Sequence, residues 1–154
     1  MITYTEKNIE TKDLICFRFI EQIINLLEVP DLGFDKNGKK NELTCHMLAQ
    51  AIVVFFGQEL ELKHGYFMTC YEHSWLVTKE HKNIIDVYPW GTVGGPLLIV
   101  RNVSSSGKFY IEKELNIQSS LHKSSIALVK KAIINSIKEI LNKQTSFANK
   151  PIIH

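Results

Sequence analysis

The run from Met47 to Phe56 constrains this chain most, because Gln50 is its only polar residue. A segment with no polar face needs cover on every side, so it predicts a buried helix at the centre of the core. Asn41 and Thr44 are candidate N-caps ahead of it, and Gly57 is a natural C′ stop. Cys45 stands at the mouth of this helix. The first-turn N–H groups and the positive end of a helix dipole stabilise an anion. A thiol placed there is favoured as thiolate, and the same donors can serve an oxyanion formed beside the sulfur.

After Gly57 the apolar period shortens to about two, the spacing of strands. Glu59–Thr69 carries Leu60, Leu62, His64 and Tyr66, and Tyr71-Glu72 is expected to turn the chain or mark a bulge. His73–Thr78 is a compact aromatic and β-branched run, Lys79–Lys82 a polar loop, and Ile84–Tyr88 the next strand, closed by Pro89. If Thr78 pairs with Asn83 across that loop, His73 falls opposite Tyr88. Asp86 is then its diagonal neighbour on the same face, about 7–8 Å away between backbones. A slip of one residue would move Asp86 to the other face. Trp75 shares the face of His73 because it lies two residues on.

The rest of the chain reads as support. Asp13 can cap a helix over Leu14–Leu27, ended before Pro30, and residues 30–41 form a loop dense in turn residues. Trp90–Pro96 is glycine-rich but lacks the spacing and the Lys-Ser/Thr of a phosphate loop, so it reads as a turn or substrate rim. Leu97–Val100 and Lys108–Ile111 are expected strands, separated by a turn at Ser104–Gly107. Ser119–Asn142 is an expected long helix with a lysine-rich solvated face, and Gln144–His154 an expected loose tail. The 154 residues fit one α+β domain with its core over about 41–111: a buried helix packed on an antiparallel sheet, flanked by N- and C-terminal helices.

Composition narrows the function classes. A net charge of +2 gives no argument for nucleic acid. The apolar stretch Leu14–Leu27 is broken by Arg18, Glu21, Gln22 and Asn25, which is neither a leader peptide nor a membrane span. Three cysteines, Cys16, Cys45 and Cys70, are too few and too irregular for a disulfide framework, so a reducing, cytoplasmic setting is expected. Cys16 reads as a small buried core residue, and Cys70 as a buried strand residue with no helix terminus to activate it.

Cysteine chemistry needs a thiolate, a base that moves protons, and a group that fixes the imidazole tautomer. Cys45, His73 and Asp86 can supply these roles, with the Cys45 N–H as one oxyanion donor and Asn41 as a guess for the second. Trp75 and Trp90 suit core packing and can also meet substrate. The rival is zinc, held by a subset of Cys45, His46, His64, Cys70, His73 and His81. Cys70-x-x-His73 has a tight spacing, but no second pair completes a tetrahedral set, so no metal or other cofactor is expected.

At these residues the chain resembles the transglutaminase-like branch of the papain-like cysteine enzymes. The resemblance rests on Thr44-Cys45 opening a buried helix, Gly65-Tyr66 in the following strand, His73-Ser74-Trp75-Leu76, and Ile84-Ile85-Asp86-Val87. It covers about a third of the chain, Asn41 to Trp90; the helix at 14–27 and the long C-terminal helix have no counterpart in it. The resemblance implies Cys45 as nucleophile, His73 as base and Asp86 as orienter. It also implies acyl transfer through a thioester on a peptide or protein amide: hydrolysis, deamidation or transfer to an amine. The alternatives are a binding module that keeps the fold without turnover, and an acyltransferase drawing on a thioester donor such as coenzyme A.

Overall fold

Alternation along three strands creates two unlike sheet faces, and the site follows from which side chains fall on each. The structure, a computed structural model, describes residues 9–88, 95–100, 105–117 and 120–148. Within them the chain is α+β. Helices α1 (Thr11–Asn25), α2 (Cys45–Phe55) and α3 (Ser120–Ala148) accompany strands β1 (Leu60–Phe67), β2 (Tyr71–Thr78), β3 (Ile84–Asp86), β4 (Leu97–Ile99) and β5 (Tyr110–Glu112). The strands form one sheet in the order β4-β3-β2-β1-β5, antiparallel at each pairing.

One face carries Leu60, Leu62, Leu76, Ile85, Val87 and Leu98, and packs with the helices into a single apolar core. Phe17, Ile20 and Ile23 of α1, Leu48 and Ile52 of α2, and Val129 and Ile133 of α3 close that core. Burying a Leu, Ile or Phe side chain contributes about 1.5–3 kcal/mol, so this layer supplies most of the driving force for folding. The other face carries His73, Trp75 and Val77 of β2 beside Ile84 and Asp86 of β3.

The expected hairpin register is the one observed. Leu76 pairs with Ile85 and Val77 with Ile84, and the Thr78 N–H bonds the Asn83 carbonyl at 2.9 Å. The turn between β1 and β2 differs from expectation. It falls at Met68–Cys70 rather than Tyr71-Glu72, with Met68 and Thr69 at positive φ (52° and 69°) although neither is glycine. Cys70 is accordingly exposed at the turn, not buried in a strand.

Other boundaries shift for identifiable reasons. α1 starts at Thr11, three residues early, after Glu10, which makes no side-chain cap. Asp13 sits buried in the first turn, where it accepts from Asn83 Nδ2 at 2.8 Å and His81 Nδ1 at 3.2 Å, tying α1 to the β2–β3 loop. Cys16 is only partly buried. The apolar run of α2 is not covered all round, since Val54 is 57% exposed and Phe55 37%. Gly57 follows the C-cap Phe56 as expected but not in the left-handed conformation; Glu59 and Leu60 N–H groups close on the Phe56 carbonyl instead. β3 stops at Asp86 rather than Tyr88. α3 runs on to Ala148, so the expected loose tail is helical over residues 144–148. Trp90 and the rest of residues 89–94 lie outside the described residues. Among the described residues no helix is long and apolar enough to cross a membrane.

Tyr110 reports the shape of the sheet. Its strand stands three places from β3, a span of roughly 14 Å in a flat sheet with strands about 4.8 Å apart. Its hydroxyl nevertheless lies 2.8 Å from Asp86 Oδ2. The sheet is therefore curled around its His73 face. Gly65 makes the curl possible. A Cβ there would fall on the Ile111 carbonyl oxygen, with the Ile111 carbonyl carbon and the Lys113 nitrogen both at 2.8 Å.

Candidate active site

Thr44 fixes the start of α2: its hydroxyl accepts the Met47 N–H at 3.2 Å, and its carbonyl accepts the Leu48 N–H at 3.1 Å. Cys45 is thus the first helical residue, and its own N–H is one of the donors that a helix cannot satisfy from within. Cys45 as a whole is 8% exposed.

His73 and Asp86 meet across the β2–β3 hairpin. His73 Nε2–H donates to Asp86 Oδ2 at 2.6 Å, with the imidazole 5% and the aspartate 0% exposed. Cys45 is the other group that acts on the ring, as a hydrogen-bonding and charged neighbour. Burial alone pulls the imidazole down. The hydrogen bonds and charges of Asp86 and Cys45 outweigh it and raise His73 to about 9. The structure therefore brings Cys45, His73 and Asp86 together.

α2 lies against the core face whereas His73 points to the concave face, so a route between the faces is needed. The β2–β3 ladder ends at Leu76↔Ile85. The Tyr88 N–H folds back on Asp86 Oδ1 at 3.2 Å, and its hydroxyl donates to the Leu43 carbonyl at 3.1 Å, just ahead of Cys45. Burial first, then the charges of Cys45 and Glu42, push the Tyr88 phenol up. Tyr88 thus ties the end of β3 to the root of α2, next to Cys45 in the chain.

Aromatic rings wall the imidazole. Trp75 stacks on His73 with ring centroids 6.2 Å apart and planes 19° apart, and Phe67 meets it edge-on at 6.3 Å. Tyr110 packs edge-on against Trp75 and Phe67, each at 5.2 Å. Such walls exclude water from the His73–Asp86 bond and strengthen it.

Two clefts flank this centre. One, of about 650 Å³, lies in the trough of the curled sheet with Trp75, Val77, Ile84 and Tyr110 among its lining. The other, of about 630 Å³, is lined by Asn41, Leu43 and Tyr88 beside the head of α2. Trp75 thus both packs on His73 and faces a cleft. Asn41 faces the second cleft, but its Nδ2 donates to the Leu32 carbonyl at 3.0 Å and its N–H to the Gly33 carbonyl at 2.8 Å, bonds that close the preceding loop. Trp90 cannot be placed, being outside the described residues.

The zinc set does not converge. Cys70 is at the exposed turn, His46 and His64 both direct Nδ1 to Ser74 Oγ (2.6 and 2.5 Å), and His81 joins Asp13. Among the described residues, Glu10, Asp13 and His81 have ligand atoms within 4.8 Å of one another, but the Asp13 oxygen that His81 approaches also takes the Asn83 amide.

Sequence reasoning missed Tyr110 and Tyr88. The signal for Tyr88 was its place opposite His73 in the correct register. Nothing in the sequence announces Tyr110, whose strand reaches the site only through the curl. Comparison with protein-family models, curated proteins and solved structures finds no match to this chain.

Proposed function

We propose that the protein is a cysteine-dependent enzyme that cleaves or transfers the acyl group of a peptide or protein amide, in a papain-like arrangement of the transglutaminase-like kind. The observation that carries this reading is the buried bond from His73 Nε2–H to Asp86 Oδ2, with the Cys45 thiol at a helix head within reach of the same imidazole. A buried cysteine with a merely structural role does not require an imidazole oriented by a carboxylate beside it.

The chemistry follows from the positions. Cys45 Sγ attacks the amide carbonyl carbon as a sulfur–carbon bond forms and the carbonyl electrons move to oxygen. The Cys45 N–H and the positive end of α2 hold that oxyanion. Collapse breaks the carbon–nitrogen bond, and the imidazolium of His73 gives its proton to the departing amine. A thioester remains on Cys45. Water or a second amine then attacks it, giving its proton to His73, and the thiolate leaves. Asp86 holds the imidazole so that one nitrogen faces sulfur throughout and compensates the positive charge on the ring.

The test is alkylation by iodoacetamide across pH, with the modified cysteine mapped by mass spectrometry, on the parent, His73→Ala and Asp86→Asn. Cys70, exposed, serves as the reference thiol in the same molecule. Near neutral pH, Cys45 is expected to react on the order of tenfold faster than Cys70 despite its burial, because only an activated thiolate has that advantage. His73→Ala abolishes the difference and Asp86→Asn reduces it. A fluorogenic panel of peptide amides, with and without an added amine, then separates hydrolysis from transfer. A Cys45 that is inert, or whose rate ignores His73, removes the enzyme reading.

A further inference from the structure

Asp86 Oδ2 takes two donors, His73 Nε2–H at 2.6 Å and Tyr110 O–H at 2.8 Å, while Oδ1 takes the Tyr88 N–H at 3.2 Å. The second donor comes from an edge strand folded over the trough at Gly65, so it is brought to the carboxylate by long-range structure. The Tyr110 ring is fixed independently of its hydroxyl by edge-on contacts with Trp75 and Phe67.

We propose that Tyr110 is a positioning residue of the Cys45–His73–Asp86 centre: by sharing the Asp86 oxygen that holds His73, its hydroxyl limits how tightly the carboxylate grips the imidazolium and keeps that ring able to release its proton. The catalytic part of this inference rests on the function proposed above; the effect on His73 does not.

The physical reason is competition for one lone-pair region. A carboxylate buried as completely as Asp86 must be compensated by the donors that surround it. With the phenol in place, part of its charge is satisfied by a neutral partner. Without the phenol, Asp86 is compensated mainly by the ring N–H of His73, and the protonated ring becomes harder to deprotonate. That matters in the step where His73 must give its proton to a leaving amine. Burial, then the charge of Asp86 and its hydrogen bond, push the Tyr110 phenol up, so it stays a donor across the working range. Among the described residues, the titratable groups beside His73 are Asp86 from β3, Cys45 from α2 and Tyr110 from β5; Tyr88 lies within charge reach of Cys45, and β1 contributes the Phe67 ring.

The test uses Tyr110→Phe, which keeps the ring and removes only the donor, with Tyr110→Leu as the packing control. His73 is titrated by NMR on histidine-labelled protein, its resonance assigned by loss in His73→Gln. Tyr110→Phe is expected to raise the His73 midpoint by about one pH unit, the equivalent of one hydrogen bond to a charged group. The alkaline limb of the Cys45 alkylation profile moves up with it. An unchanged or lowered midpoint in Tyr110→Phe overturns the proposal. So does a variant that changes thermal stability alone, because that is the mark of a purely structural tyrosine. If His73→Ala leaves Cys45 reactivity untouched while Tyr110→Phe still moves the His73 midpoint, the enzyme reading fails and the coupling through Asp86 stands.

Discussion

Replacing Gly65 by alanine tests the curl that builds the site. The three atoms nearest the added Cβ are all backbone: the Ile111 carbonyl oxygen and carbon and the Lys113 nitrogen, the last two at 2.8 Å. Carbon–carbon contacts settle at about 3.5–4.0 Å, so β5 must retreat by about an ångström. Backbone cannot rotate aside as a side chain can. The retreat strains the Gly65↔Glu112, Tyr66↔Ile111 and Phe67↔Tyr110 pairs and the flanking bonds from Lys113 N–H to His64 and from Met68 N–H to Phe109. Losing two or three such bonds, at about 1–1.5 kcal/mol each, costs roughly 2–4 kcal/mol. For a chain of this size that corresponds to a Tm lower by about 4–16 °C. Tyr110 retreats with its strand, so the edge-on contact with Trp75 opens and tryptophan emission changes. The assay is urea unfolding followed by fluorescence, beside Gly107→Ala as a control, where the nearest atom to an added Cβ is the Ile84 side chain at 4.0 Å. If Gly65→Ala costs less than about 1 kcal/mol, within the range of an ordinary surface change, the close approach of β5 is not what holds the trough together.

Two further outcomes follow from the site's electrostatics and its helix start. His73 sits at about 9 in the folded chain against about 6.5 unfolded, so the protonated ring stabilises the fold fully below about pH 6.5 and that contribution fades as pH rises towards 9. The unfolding free energy obtained from urea titrations should fall across that window by an amount on the order of 2–3 kcal/mol, and His73→Gln should flatten the dependence; equal slopes in the two proteins would remove the His73–Asp86 pair as the cause. Thr44→Ala removes the one side-chain cap of α2 and is expected to cost about 1 kcal/mol and to slow Cys45 alkylation, both read against Thr44→Ser, which restores the cap; a slowing that serine does not restore would argue against the cap as its origin.

The sequence by itself determined the parts governed by local period. An apolar run with Thr44 ahead of it makes α2 and sets Cys45 at its head, because caps and helical spacing act within a few residues. Alternation on both sides of a short polar loop fixes the β2–β3 register, because any slip would turn Ile85 outward and Asp86 into the core; that register puts His73 and Asp86 on one face. Where local cues were weak, tertiary packing decided. The β1–β2 turn closes through Met68 and Thr69 in left-handed conformations that no glycine advertises. Asp13 serves the β2–β3 loop rather than capping α1, because Asn83 and His81 are brought to it from some seventy residues away. Tyr110 is the clearest case. No spacing relates it to Asp86, since its strand pairs with β1 and reaches β3 only because Gly65 lets the sheet curl. Local period can place residues on a face, but whether two distant strands meet across that face depends on the curvature of the whole sheet.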